Sequence, residues 1–391
     1  MTCKDFITIG IDASNIRQGG GVTHLSELLQ HSNPSLSGIS KVIVWSSQNT
    51  LGQLPNKPWL QKESNKLLDG SFFSRTFWQI FNLTGLLNKF NCKLLLVPGG
   101  SFKTKFRPVV SMNQNLLPFE WKEILRYKFS LMTLKLIILR FIQTVSFQKS
   151  DGIIFLSKYS QKVVLKTLNG NYGENIIIPH GVGQKFFKKP RKQFSIDHYS
   201  SDKPFKIIYV SSIDFYKHQW NVVKAVSNIK QKGYPVCLDL YGASANKRAL
   251  KLLKKTITKL DSENNFINFH KEINYNEIEE IYFVADLSIF SSSCETFGQI
   301  LLESMAAGLP ITCSNLSAVP EIIKKGAVYF NPLDTDEIEK SLMDVIDSKR
   351  LRTNLSKLAY KNAGTYSWKE TSIKTFNFLK KIAHQNSINE G

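Results

Sequence analysis

Apolar β-rich runs and helix-periodic stretches alternate from one end of the 391-residue sequence to the other. In the first half the strand candidates are Phe6–Ile11, Lys41–Ser46, Lys93–Pro98, Pro108–Ser111, Gly152–Ser157 and Asn175–Pro179. In the second half they are Phe205–Ser211, Pro235–Tyr241, Phe266–Phe269, Leu287–Ser291, Pro310–Ser314 and Ala327–Phe330. Helical periodicity fills most gaps, as in Tyr159–Leu168, Trp220–Lys230, Asn276–Val284 and Gly298–Ala307. Strand–helix–strand alternation implies parallel sheets covered by helices on both faces. Two such series imply an α/β chain of two doubly wound, Rossmann-like domains, and the length agrees with two.

The series breaks after Val182. Gln184–Asp202 is basic, polar and aperiodic, which suits a linker. The expected division is a domain at 1–183, a linker at 184–203 and a second domain at 204–367. Trp368–Ile382 then reads as an amphipathic helix behind the cap Ser367, with Glu370 three residues on.

Charge narrows the partners. Against 31 Asp and Glu stand 51 Lys and Arg, a formal +20, which attracts polyanions. No zinc-finger, RNP-type or helix-turn-helix pattern accompanies that charge, so nucleic acid is not the expected partner. Two basic stretches, Ser74–Phe90 and Trp121–Phe147, mix lysine and arginine with large apolar residues, as interfacial helices do. Peripheral contact with an anionic membrane is therefore expected. The first residues resemble a strand rather than a signal peptide. No uninterrupted apolar run approaches the ~20 residues of a membrane span. The longest candidate, Leu131–Ile142, is broken by Lys135 and Arg140. The expected compartment is the cytoplasm, with peripheral contact at the inner face of the membrane. Cys3, Cys92, Cys237, Cys294 and Cys313 form no C-x-x-C pair and read as reduced, buried side chains without a zinc site.

The densest chemistry lies at Ser291–Glu321. A strand runs through a serine-rich turn into Glu295-Thr296-Phe297-Gly298 and then a helix. Helix N-termini offer unpaired N–H groups to sugar hydroxyls or phosphates. Gly298 permits close approach to the backbone. Glu295 and Glu303 are eight positions apart, near one face if both are helical, and bracket an extended ligand. Such a pair alone also fits a capped surface helix. Elsewhere, Gly19-Gly20-Gly21 sits between a strand and a helix, where glycines cradle phosphate or admit substrate.

The surrounding residues settle the reading of the glutamates. Glu295-Thr-Phe-Gly, followed by Glu303-Ser-Met-Ala-Ala-Gly-Leu-Pro-Ile, closely resembles the family-4 retaining glycosyltransferases, of the "glycosyl transferases group 1" type. That resemblance implies the GT-B fold, two Rossmann-like domains facing across a cleft, with the final helix, 368–391, returning to the first domain. It implies a nucleotide-sugar donor, UDP- or GDP-linked, held by Ser212, Lys217, Thr296, Phe297, Gly298, Gln299 and Glu303, with Gly20 and Gly21 opposite. Tyr209–Lys217 resembles the family's strand–G-R-x-x-x-x-K segment, whose arginine and lysine neutralise the donor diphosphate. Lys217 is in place, and Ser212 stands where the arginine would be. Asn113-Gln114 occupies the position of a family histidine that contacts the donor sugar, so either amide is a candidate sugar contact. His24 or His180 could lie near the same site, and His180, in an Ile-Pro-His-Gly-Val segment, matches the family's hinge.

The resemblance further implies front-face transfer, with Glu295 and Lys217 as the catalytic residues. With the charge and the basic aromatic stretches, the expected acceptor is a lipid-linked saccharide, as in bacterial surface-polysaccharide or lipopolysaccharide assembly. No Asp-x-Asp metal motif is placed after a strand, and the fold binds its donor without metal, so no metal or other cofactor is expected. A nucleotide-sugar epimerase or a sugar phosphorylase would share the fold. A dehydrogenase is disfavoured, because no G-x-G-x-x-G opens the first helix.

Overall fold

The computed structural model describes residues 6–170, 172–270 and 277–389. Cys3 and Asn276, the first residue of one expected helix, lie outside them. The chain divides into two compact units. One holds residues 1–119, 134–181 and 367–391; the other holds residues 120–133 and 182–366.

The first unit is built on seven strands: β1 (Ile7–Asp12), β2 (Ile39–Trp45), β3 (Leu60–Glu63), β4 (Cys92–Val97), β5 (Val109–Met112), β6 (Gly152–Phe155) and β7 (Glu174–Ile177). They pair in the order β3-β2-β1-β4-β5-β6-β7, all parallel. The second has six: β8 (Phe205–Val210), β9 (Val236–Tyr241), β10 (Ile267–His270), β11 (Leu287–Phe290), β12 (Ile311–Ser314) and β13 (Val328–Phe330). Their order is β10-β9-β8-β11-β12-β13, again all parallel. The two doubly wound sheets expected from the alternation are present. Twelve strands coincide with the sequence candidates within two residues at each end. The thirteenth, β3, reads Leu-Gln-Lys-Glu and is half-buried throughout. It is an edge strand that pairs only with β2, so neither face demands an apolar alternation.

Strand order locates the sites. Where neighbouring crossovers run in opposite directions, the loops at the carboxyl ends of the strands splay and leave room for a ligand. That switch falls between β1 and β4 in the first unit and between β8 and β11 in the second.

The first basic stretch folds as one continuous rod, Phe72–Trp78, Gln79–Leu83 and Thr84–Lys89, whose middle turn is π-helical. It buries Trp78, Leu83 and Leu87 in the first unit's core. The wider turn carries Gln79 to the end of β1, where its amide donates to Asp12 Oδ2 (2.5 Å) and Ser14 Oγ (3.1 Å). Burial raises the pKa of Asp12, against the opposing pull of these hydrogen bonds.

The second basic stretch is interrupted. A short helix, Trp121–Leu125, ends before Lys128, whose φ of 52° is left-handed, and a new helix runs from Leu131 to Gln148. By length and mean hydropathy (18 residues, 1.3) this second helix is apolar enough to cross a membrane, which the sequence expectation had denied. Its inner face is a working part of the unit: Gln143, Ser146 and Phe147 are buried. Arg140 donates to the Pro118 carbonyl (3.1 Å) and to Thr167 (3.2 Å). Residues 184–203 lie along the second unit. There Lys188 N–H donates to the Ala306 carbonyl (3.0 Å), and Arg191 reaches the Phe283 carbonyl and Asp286, each at 3.1 Å. The C-terminal helix Trp368–Asn389 belongs to the first unit.

Candidate functional site

In the second unit the loops after β8 and β11 meet. Asp214 starts the first of them, accepting from Phe215 N–H (2.7 Å), and a single 3₁₀ turn, Phe215–Lys217, follows. Tyr209 hydroxyl donates to the Lys217 carbonyl (2.7 Å), which fixes the turn against β8. The Lys217 ammonium points across to the second loop and donates to Glu295 Oε1. It also lies over the Phe290 ring, 5.4 Å from its centre. Glu295 is clamped through its main chain by Ser317: its N–H donates to Ser317 Oγ, and that hydroxyl donates to its carbonyl, both at 2.8 Å. A shielded ion pair is weak support for a fold, because desolvation offsets the attraction. This one stands at the switch point, where a doubly wound sheet leaves a crevice for a ligand.

His218 extends the site, and no sequence signal marked it. It holds a left-handed φ of 51°, and its Nε2 is 2.8 Å from Ser293 Oγ. Burial, and secondarily the charge of Arg126, lower its pKa to about 3, so the imidazole is neutral at physiological pH. A non-glycine residue in this backbone region is a form of stored strain that concentrates at functional sites.

Glu295 and Glu303 do not share a helix. The helix runs Gln299–Ala306, and Gly298 before it has φ 103°. The eight-residue spacing therefore says nothing about a common face. Glu295 is placed by the turn, while Glu303 is buried, 2% exposed, in the helix. A Cβ on Gly298 would meet nothing nearer than 3.6 Å, so glycine is demanded here by backbone conformation rather than by close approach. Phe297 packs its ring edge-on against Tyr366 at 5.5 Å and is buried. Thr296 and Gln299 are half-buried beside it. Ser212 is half-buried, and its carbonyl accepts from Gln219 (2.9 Å).

The remaining candidates belong to the first unit. Gly19, at φ 65°, turns the chain out of the β1 loop, and Gly20 and Gly21 open the helix Gly20–Gln30. A Cβ on Gly20 would point into open space, whereas one on Gly21 would approach Ile16 (3.3 Å) and Gln114 Oε1 (3.6 Å). The structure thus separates the two amides. Gln114 is half-buried beside the glycines. Asn113 is 1% exposed, donates to the Asn115 carbonyl (3.1 Å), and has an Oδ1 without a hydrogen-bond partner among the described residues. His24 and His180 are packed together under Trp368. Cys92, Cys237, Cys294 and Cys313 are free and buried. Among the described residues no three His, Cys, Asp or Glu side chains are grouped to hold a metal ion. The Asp334-Thr335-Asp336 sequence is a helix cap, with Asp334 accepting from the Asp336 and Glu337 amides.

Residues 190–362 match the family described as Glycosyl transferases group 1. The match falls within the second unit and contains Ser212, Lys217 and the whole of 295–303. Among curated relatives, the O-antigen chain mannosyltransferase B of Escherichia coli is 26% identical over 104 residues, which is 27% of this chain and 27% of that protein. The matches to the first curated relatives span only 21–28% of those proteins' lengths. Solved structures resemble the chain over nearly its full length. Sucrose-phosphate synthase from Thermosynechococcus elongatus gives a TM-score of 0.74 at 14% identity, covering 96% of this chain and 98% of that one. HepE of Anabaena, in complex with UDP, gives 0.68 at 15% identity, covering 96% and 100%. These likenesses establish the fold, GT-B.

Proposed function

We propose that this chain is a retaining glycosyltransferase that moves a sugar from a UDP- or GDP-sugar to a hydroxyl of a lipid-linked saccharide, in the assembly of a surface polysaccharide. The Lys217–Glu295 pair at the switch point of the group 1 domain carries the reading. Glu295 is the acceptor for hydroxyls of the transferred sugar, and Glu303 for those of the ribose. Lys217 is the point charge for the departing diphosphate, where negative charge grows as the bond to the anomeric carbon breaks. The acceptor oxygen bonds to that carbon on the face the diphosphate leaves. The acceptor's proton passes to a phosphate oxygen, so configuration is retained without a protein nucleophile. The relative's printed name, an O-antigen mannosyltransferase, and the UDP bound to HepE support the donor and product classes.

Exposed apolar residues support a membrane-borne acceptor. In the first unit Phe73 (81%), Phe81 (67%) and Phe141 (71%) stand in water on the 72–89 rod and the 131–148 helix. Between these two elements lies a depression lined by Ile80, Phe102 and Val145 with Lys103, Lys105 and Lys149. Aromatic side chains flanked by ammonium groups suit the boundary between acyl chains and anionic headgroups.

Thermal shift against a panel of UDP- and GDP-sugars identifies the donor, since a ligand of the folded state raises the melting temperature. Transfer from that donor to a polyprenyl-linked saccharide, read by NMR at the new anomeric centre, then tests retention. Inversion would sink the mechanism. Donor turnover that needs no acceptor would point to an epimerase instead.

A further inference from the structure

The second unit is discontinuous in sequence. Residues 120–133 pack with 182–366, although residues on both sides of them belong to the first unit. The attachment is specific. Tyr127 hydroxyl donates to Asp214 Oδ1 (2.7 Å), and its ring meets Phe215 edge-on at 5.4 Å. Arg248 donates to the Tyr127 carbonyl (3.2 Å) and lies over Phe215, 5.9 Å from the ring centre. Asp214 and Phe215 begin the turn that ends in Lys217. The inserted segment is thus fastened to the lysine turn itself.

The residue before Tyr127 is an arginine. Arg126 Nε donates to Glu123 Oε2 at 2.6 Å, with side chains 26% and 7% exposed. These charges act on the site. Arg126 contributes to the low pKa of His218, the neighbour of Lys217. Behind burial, Glu123 and Glu120 contribute to the raised pKa of Cys294, the neighbour of Glu295. The arrangement parallels Lys217–Glu295: a cation held by a carboxylate next to the loop where the diphosphate is placed. A diphosphate is multiply charged, and Ser212 offers it no cation.

We propose that Arg126, delivered by the inserted segment, is a second cation of the diphosphate site. It supplies from residues 120–133 the charge that Ser212 does not supply after β8. The geometry suits the task. A guanidinium has five donors in a planar fork, so it can keep Glu123 on Nε and turn its terminal nitrogens to phosphate oxygens. Glu123 then serves as a positioning residue that sets the fork.

This inference rests on the nucleotide-sugar reading, and the test separates the two. UDP and GDP are titrated calorimetrically into the full chain, and uridine and guanosine binding is followed by ligand-observed NMR. The variants are Lys217→Ala, the pair Glu123→Gln/Arg126→Gln, and that pair combined with Ser212→Arg. The double replacement removes both charges together, so no buried charge is left alone. Expected is a loss of about tenfold or more in diphosphate affinity for Lys217→Ala and for the pair. Nucleoside binding is unchanged, and Ser212→Arg recovers the diphosphate affinity. A pair that binds diphosphate like wild type while Lys217→Ala does not overturns the role of Arg126 alone. Proportional loss of nucleoside, or no recovery with Ser212→Arg, assigns the pair a structural role and also overturns it. Unchanged diphosphate binding in Lys217→Ala overturns the nucleotide-sugar reading beneath it.

Discussion

Lys217 Nζ donates to the Glu295 carboxylate, and the two side chains are only 6% and 15% exposed. Removing one partner strands the other charge in a shielded place, a loss typically of about 3–5 kcal/mol for a fully buried pair. Lys217→Ala or Glu295→Ala should therefore abolish transfer and lower stability by up to that amount. The double variant Lys217→Met/Glu295→Gln should regain most of the stability and none of the transfer. Urea denaturation beside a transfer assay checks this. Near-normal transfer in either single variant would remove the pair from the site.

Two glycines make opposite predictions. Gly298 holds φ 103°, so Gly298→Ala forces a side chain into a conformation that costs roughly 1–2 kcal/mol and shifts the loop bearing Glu295. Gly20 opens a helix with open space around its Cβ position, so Gly20→Ala should leave stability level or raise it by about 0.4–1 kcal/mol. If substrate approaches the glycine turn, Gly20→Ala nevertheless slows transfer. Melting curves and initial rates for the two variants separate a conformational requirement from a steric one.

The sequence shows the fold wherever burial dictates residue type. Strands such as Val109–Met112 and Gly152–Phe155 are buried on both faces, and their apolar runs are plain. β3 escapes because an edge strand with half-buried residues carries no such pattern. In the candidate site, Lys217 and Glu295 stand out because each sits inside a longer run of residues that resembles a family motif. His218 and Ser293 do not, because their meeting depends on how two loops fold, 75 positions apart. The same holds for Tyr127 and Asp214, 87 positions apart. A common face for Glu295 and Glu303 required both to be helical, and nothing in their spacing reveals that Gly298 breaks the backbone between them.

The exposed aromatic residues of the first unit predict binding to anionic vesicles. Burying a phenylalanine side chain contributes about 1.5–3 kcal/mol, so losing three should be decisive for a peripheral protein. Phe73→Ser/Phe81→Ser/Phe141→Ser should reduce partitioning into phosphatidylglycerol vesicles by at least about tenfold, with little change in melting temperature. High salt should weaken wild-type binding through screening of the lysines. Equal partitioning into neutral and anionic vesicles would count against the electrostatic part.

The buried histidines predict how stability depends on pH. His24 Nδ1 and His180 Nδ1 are 2.7 Å apart, so one must donate and the other accept. His24 Nε2 is buried without a partner among the described residues. A missing acceptor partner is tolerated better than a stranded N–H, so hydrogen-bond satisfaction assigns the shared proton to His24 Nδ1. Burial lowers the pKa of His24 from 6.5 to about 4. Burial and the His24 charge lower that of His180 as well. As pH falls below 6.5 the unfolded chain takes up protons that the folded chain refuses. Stability is thus fully present above that pH and lost on descent toward about 4. For His24 alone the slope is at most about 1.4 kcal/mol per pH unit. Urea midpoints between pH 7.5 and pH 4.5 should show this decline for wild type and a shallower one for His24→Gln. The contribution of His218, depressed to about 3 by burial, remains in both and does not blur the comparison. Equal slopes in the two proteins would mean that the unfolded chain gains no advantage at His24, and that the imidazole is protonated in the folded state as readily as in water.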